Sequence, residues 1–290
     1  MKKILVIGST VVDIILKLPY LPKSSEDVNI TSMDYQIGGC AYNIYSALIN
    51  MKIPALLCSP VGNGVYGNIV KEHFNKNGIT PFITLKEENG CCYCLVEPDG
   101  ERSFLSYHGA EYLFYESWMK NTDLSQFDDA YISGLELEEA TGIEIINFLY
   151  KNPSLRILFA PGPRIMHIAD EKIKLILSRR DREGRGPLLH LNKNELITFT
   201  GINEIEKAAR FLMEKTANSI IITLGDKGSC FLDYSDNKFS TVAVKPLKAE
   251  NTVGAGDTHF GTFIACYKNG LKLEDACFKA NMAAREKLSP

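Results

Sequence analysis

The 290-residue sequence has no long apolar run, little net charge and a single Trp. No stretch reaches the roughly 20 apolar residues of a membrane-spanning helix, so no such helix and no membrane partner are expected. Lys and Arg number 32 against 35 Asp and Glu, a formal net charge of −3. That balance supplies no global pull toward nucleic acid, which is not expected as a partner. The 8 Cys are too few for a disulfide scaffold. Cys91 and Cys94 form a C-x-x-C, but no second pair stands at zinc spacing, and residues 92–96 read as a strand. The 5 His (His73, His108, His167, His190 and His259) are scattered and make no H-E-x-x-H. No G-x-x-x-x-G-K-[ST] occurs, so phosphates are not cradled by a P-loop. Repeats and low-complexity tracts are also missing.

What remains is ordinary globular composition, 45% hydrophobic and 23% charged. The start, Met1-Lys2-Lys3 before Ile4-Leu5-Val6-Ile7, superficially resembles a signal peptide. Its apolar run stops at Gly8-Ser9-Thr10 and Asp13 follows, which is too short for an h-region. A buried opening strand and a cytoplasmic location are the expectation.

Short β-branched runs alternate with helical patterns. Strands are read at 3–8, 54–60, 80–85, 129–133, 155–159, 188–191 and 219–224. Helices are read at 41–51, 64–77, 140–151, 168–178, 203–215, 257–268 and 273–287. The alternation predicts an α/β fold, a three-layer α/β/α sandwich around a mostly parallel sheet. Segments 12–37 and 91–108 break the rhythm with alternating strands and a Pro98-Asp99-Gly100 turn. They are read as a small β-sheet lid on a single domain spanning 1–290. Exposed edges of such a lid could pair two subunits, so a homodimer is one expected arrangement. The run 179–186 is read as a solvated loop. Gly62-Asn63-Gly64-Val65-Tyr66-Gly67 spells a dinucleotide fingerprint, with Glu87 or Glu88 some way downstream, but reads better as a tight turn before a helix.

The segment Asn251-Thr252-Val253-Gly254-Ala255-Gly256-Asp257-Thr258 leads straight into a helix carrying Phe260, Phe263, Ile264 and Tyr267 on one face. Small residues there let backbone N–H groups face an anion, and the helix N-terminus adds roughly half a positive charge. Asp257 beside such a hole suits a group that takes a proton from an attacking hydroxyl. A plain N-cap Asp after a Gly-rich turn reads the same spacing equally well. Asp13 is an acid in an apolar neighbourhood, Val11-Val12 before it. Arg164, after Pro161-Gly162-Pro163, lies just past a strand's C-terminal end, placed either to steer a phosphate at the substrate or to brace the loop. Glu136, Glu138 and Glu139 read as a solvated face.

Taken in order, these motifs resemble the PfkB family of carbohydrate kinases, which has a ribokinase-like fold. Asn251–Asp257 follow the family's D-T-x-G-A-G-D, and Gly38-Gly39-Cys40-Ala41-Tyr42-Asn43 follow its N-terminal Gly-Gly signature. Asn192-Lys193-Asn194-Glu195 match its N-x-x-E, Thr223-Leu224-Gly225-Asp226-Lys227-Gly228 its nucleotide-side turn, and Asp13 its early acid. The resemblance runs from residue 3 to about 285. It implies Asp257 as catalytic base and Gly254, Ala255 and Gly256 as the anion hole. It implies Asn192 and Glu195 organising Mg2+ and phosphate through water, and Thr223, Gly225, Gly228 and Asn281 at the nucleotide. Asp13, Gly38, Gly39 and Asn43 would hold substrate hydroxyls.

The implied activity is ATP- and Mg2+-dependent phosphorylation of a hydroxymethyl group on a sugar or nucleoside. The alternative is a non-catalytic sugar or nucleoside sensor on the same fold, because the chain departs from the family pattern. Asn251 replaces the signature Asp, which leaves a monovalent cation such as potassium open. Ala160 stands where many relatives have Asp, and the chain ends early at Ser289-Pro290.

Overall fold

A computed structural model of the chain describes residues 1–245 and 254–288. Asn251, Thr252 and Val253 of the signature, and the Ser289-Pro290 end, lie outside the described residues.

Ile4, Leu5, Val6 and Ile7 are at most 1% exposed, as an unbroken apolar strand should be when both faces of its sheet are covered. They form β1 (Lys3–Ile7), flanked in parallel by β4 (Ala55–Cys58) and β9 (Phe127–Ser133). The sheet continues in parallel through β10 (Arg156–Ala160), β11 (Leu188–Asn192) and β12 (Ile220–Thr223). It closes with an antiparallel hairpin, β13 (Gly228–Leu232) and β14 (Phe239–Ala243), giving 8 strands in the order β14-β13-β12-β11-β10-β9-β1-β4.

Alternate side chains of each strand feed two separate cores. Ile4 and Val6 point into one with α1 (Cys40–Asn50), α2 (Gly64–Lys76), α8 (Ala255–Lys268) and α9 (Leu273–Leu288). Leu5 and Ile7 point into the other with α4 (Gly142–Lys151), α5 (Asp170–Ser178), α6 (Lys193–Thr200) and α7 (Ile205–Thr216). The fold is therefore α/β/α in three layers. A one-and-a-half-turn helix, α3 (Gly134–Glu138), follows β9 directly.

A second sheet of 4 strands has the order β3-β2-β7-β8, from β2 (Val11–Lys17), β3 (Ser32–Gly38), β7 (Cys91–Val96) and β8 (Arg102–Tyr107). Val12, Ile14 and Leu16 fasten one of its faces to the α1–α2 core. Asp13 lies on the opposite face, in register with Gln36 on β3 and with Cys92 on β7, which in turn faces Ser106 on β8.

Several expectations need correction. The strand read at 54–60 is broken before Pro60, and β5 (Pro60–Asn63) leaves the main sheet to pair with β6 (Ile83–Glu88). The strand read at 80–85 is thus shifted and lies outside the main sheet. The hairpin β13–β14 and helix α3 were not foreseen, and α6, whose first turn holds Glu195, was not among the helices read from the pattern. In the 179–186 run, Arg179 is 1% exposed and donates to Leu149 O and Asn152 O, closing the C-terminal end of α4. The Gly62–Gly67 turn is tight as read: a Cβ on Gly67 would meet Gly62 O at 2.3 Å, and one on Gly62 would meet Glu87 O at 2.5 Å. All 8 Cys are free, Cys91 and Cys94 on a strand. Among the described residues no helix is long and apolar enough to cross a membrane.

Candidate active site

The C-terminal ends of the parallel strands open toward one side, where ligands gather in open α/β sheets. Gly8–Thr10 follow β1, Ser133 ends β9, Ala160 ends β10, Asn192 ends β11 and Thr223 ends β12. Helix α8 starts at this rim. Phe260, Phe263 and Ile264 are at most 2% exposed, and burying each stabilises the helix position by roughly 1.5–3 kcal/mol, which fixes its N-terminus. Gly254 is the N-cap with φ 68°, in the left-handed region that glycine occupies without strain. A Cβ there would stand 2.6 Å from Lys287 Nζ and 3.3 Å from Asn43 Nδ2, whereas one on Gly256 would meet nothing within 4 Å. The first turn of α8 is therefore crowded on one side and open on the other.

Asp257 is the third residue of α8. Asn43 Nδ2, on α1, donates to its Oδ2 at 2.9 Å, and the Cys40 thiol donates to it as well. Burial pushes the Asp257 carboxyl up to about 6, with Asn43, Lys287 and Cys40 opposing that rise and Glu136 adding to it. The same burial and the neighbouring Asp257 charge hold the Cys40 thiol well above its usual range, so it stays protonated and donates. Asp13 reaches about 6 too, through burial first and Asp257 second, with Lys287 pulling the other way. Two carboxyls thus share one ammonium, which extends from the last turn of α9. The Asp13 carboxylate packs so close to Gly38 that a Cβ on Gly38 would lie 1.9 Å from its Oδ2. Gly39 turns the chain from β3 into α1 at φ 96°, and a Cβ there would strike Ser9 O at 2.6 Å.

On the other side of Asp257, Asn192 caps α6. Its Oδ1 accepts from Glu195 N–H, while Glu195 Oε2 accepts from Asn192 N–H, both at 2.9 Å, a reciprocal capping box. Burial raises the Glu195 carboxyl, the Asn192 N–H lowers it, and Asp257 raises it again. A cleft of about 420 Å³ is lined by Asn192, Thr223, Gly225, Gly228, Ala255, Gly256 and Asn281, among others. A smaller cavity of about 130 Å³ holds Asp257, Cys40, Glu195 and Ala160, and shares Asn192, Thr223 and Gly256 with the first. The two cavities meet at the start of α8. A carboxylate in the small cavity can take a proton there, while Ala255 and Gly256 of the first turn of α8 line the large one.

The structure brings Asp13, Gly38, Gly39, Asn43, Asp257 and Gly254 together, and gathers the expected nucleotide-side residues along one cleft. It does not bring Arg164 there. That guanidinium makes a two-pronged pair with Glu138, Nε to Oε2 at 2.8 Å and Nη2 to Oε1, which ties the 161–164 loop to α3. The expected solvated glutamate face is also corrected. Glu136 is 2% exposed and accepts from Ser9 N–H at 2.9 Å and Ser133 Oγ–H at 2.5 Å. It turns inward to meet these two donors, which stand at the C-terminal ends of β1 and β9. Residues that motif reading passed over are Cys40, inside the quoted Gly-Gly signature, Lys287, and the buried pair His190 and His259. Among the described residues no group of three or more His, Cys, Asp or Glu could hold a metal ion directly.

A model of the pfkB family of carbohydrate kinases matches residues 1–289. The chain is 30% identical over 288 residues to the uncharacterized sugar kinase YegV of Escherichia coli (strain K12), covering 98% of this chain and 87% of that protein. It is 24% identical over 287 residues to the ribokinase of Mus musculus, with 97% and 87% covered. The crystal structure of a ribokinase from Thermotoga maritima superposes with a TM-score of 0.81 at 25% identity, over 100% of this chain and 94% of that one. Family match, structural likeness and near-complete coverage agree, and the chain belongs to the pfkB family of carbohydrate kinases, phosphotransferases that act on an alcohol group.

Proposed function

We propose that the protein transfers the terminal phosphoryl group of ATP to a hydroxymethyl group of a sugar or nucleoside, with Asp257 as the base. The observation that carries this reading is the position of Asp257: held by Asn43, on the first turn of α8, where the two cavities join. The carboxylate takes the proton of the acceptor hydroxyl as its oxygen bonds to the γ-phosphorus, and the bond to the leaving ADP breaks. Amides of Gly254, Ala255 and Gly256 face the charge that builds on the phosphoryl oxygens. Asp13 and Asn43 pair with adjacent hydroxyls, and the glycines at 38 and 39 let the ring approach the backbone.

ATP fits the cleft in size, within the roughly 300–1,000 Å³ of small-molecule sites. Magnesium keeps much of its water and binds through substrate phosphates, which suits a site with Asn192 and Glu195 nearby and, among the described residues, no cluster of protein ligands. When bound it supplies charge neutralisation on the phosphates. Asn251, which bears on a monovalent cation, lies outside the described residues. The second sheet serves as a lid that keeps water from competing as acceptor. Met33 and Tyr35 on β3, with Leu105 and Tyr107 on β8, are at least 50% exposed, which supports a homodimer through this sheet. The relatives named ribokinase support a pentose as the first acceptor to try.

An ADP-release assay across a panel of sugars and nucleosides tests the reading, beside calorimetry without nucleotide. Release with at least one acceptor supports it. Tight acceptor binding without ADP release from any member assigns the non-catalytic sensor instead.

The base must be ionised to act, so kcat/KM for the acceptor is expected to fall tenfold per unit below about pH 6. Lys287 lowers the carboxyls of both Asp257 and Asp13, so Lys287→Met should move this acid limb to higher pH. A pH–rate profile of the two proteins reads the shift, and coincident profiles would remove Lys287 from the account.

A further inference from the structure

His190 and His259 are buried to 6% and 2% exposure in the wall between the two cavities. His259 lines the larger cleft and His190 the smaller. They belong to a chain of hydrogen bonds whose direction can be worked out from one end. Val242 O, on β14, can only accept, so the Asn281 amide must turn Nδ2 toward it, at 3.1 Å. That leaves Asn281 Oδ1 facing His259 Nε2 at 3.1 Å, and Nε2 must therefore donate. Burial drives both imidazoles well below the usual histidine range, so each carries a single proton. With its proton on Nε2, His259 has a bare Nδ1, which accepts from His190 Nε2–H at 3.0 Å. The His190 ring is clamped face to face on Phe260, 4.4 Å between centroids.

Polarity is thus imposed from β14 through α9 and α8 to β11. Asn281 is left with one fixed orientation and a second Nδ2–H to offer the cleft. Without the chain, the amide could swing or withdraw from the wall, because the Val242 bond sets which end of Asn281 faces β14 but gives its carbonyl no donor.

We propose that His259 and His190 are positioning residues for the phosphoryl donor, holding Asn281 and the wall of the larger cleft in the one arrangement that accepts the nucleotide. This rests on the reading that the cleft takes the nucleotide. It assigns the two histidines no contact with reacting atoms.

Calorimetry with ADP, steady-state kinetics and melting curves on His259→Phe, His259→Gln and His190→Phe test it. His259→Phe is expected to weaken ADP binding and raise KM for ATP about tenfold, with kcat within threefold. Gln carries both a donor and an acceptor, so His259→Gln should recover most of the loss. His190→Phe leaves the His259–Asn281 bond in place and should show a smaller effect. Unchanged ADP affinity in a folded His259→Phe protein, or a Gln variant as impaired as Phe, would overturn the proposal. A lower melting temperature with an unchanged dissociation constant would mark the pair as structural only and overturn it equally. If the unaltered protein binds no ADP, the nucleotide reading falls and this one with it; if it binds ADP and the variants bind as well, only the positioning role falls.

Discussion

Asp257→Asn is expected to lower kcat by about 10³-fold while ADP still binds, because a lost general base typically removes 10²–10⁴ of rate. The amide keeps the shape and can still accept from Asn43, so the cavity should survive. The same substitution should make the free protein more stable. The Asp257 carboxyl rises from 3.8 to about 6 on folding, so the folded chain holds its proton more tightly than the unfolded one. Stability from this group is therefore lost as pH climbs between those two values, and the deficit is complete above them. A shift of about two units, the net of burial and the opposing neighbours, corresponds to roughly 3 kcal/mol. The Asn variant carries no such deficit. Its melting temperature should exceed that of the unaltered protein at pH 8, and the gap should close near pH 4. Normal turnover in the variant would remove Asp257 from the mechanism. An equal or lower melting temperature at pH 8 would remove the burial account of its carboxyl.

The second large effect separates two adjacent glycines. Gly39→Ala should destabilise the fold by roughly 3–5 kcal/mol, from a left-handed backbone and a Cβ driven into the rigid Ser9 carbonyl. Gly38→Ala meets the Asp13 side chain instead, which can swing aside. Its expected signature is a tenfold or greater rise in acceptor KM with a melting temperature close to the original. Denaturant curves and acceptor kinetics on the two variants read the contrast. Similar behaviour of both would mean that the junction of β3 and α1 does not divide structure from binding in this way.

Much of this arrangement could be read from local pattern. Unbroken apolar runs such as Ile4–Ile7 announced strands covered on both faces, and the small residues before Asp257 announced a helix start facing an anion. The polar alternation of 12–37 and 91–108 announced strands that did not belong to the parallel sheet. What local pattern could not supply was partnership across the chain. Glu136 looked solvated because its donor, Ser9 N–H, is 127 residues away. Arg164 had two readings because Glu138, its partner, was itself assigned to solvent. The His190–His259 contact spans 69 residues and leaves no spacing to notice. The hairpin β13–β14 was hidden for another reason: Gly228 was taken as the end of a nucleotide turn, while it also begins a strand of five buried residues.

The opening strand carries a consequence for synthesis. β1 sits inside the sheet, and one of its neighbours, β9, enters register with Lys3 opposite Phe127. At about 5–20 residues per second, a ribosome needs roughly 6–25 s to bring that partner out after the first strand has emerged. β2 waits in the same way for Cys92 to meet Asp13. For that interval the greasiest stretch of the nascent chain has an open edge, and the half-made enzyme depends on whatever shields it.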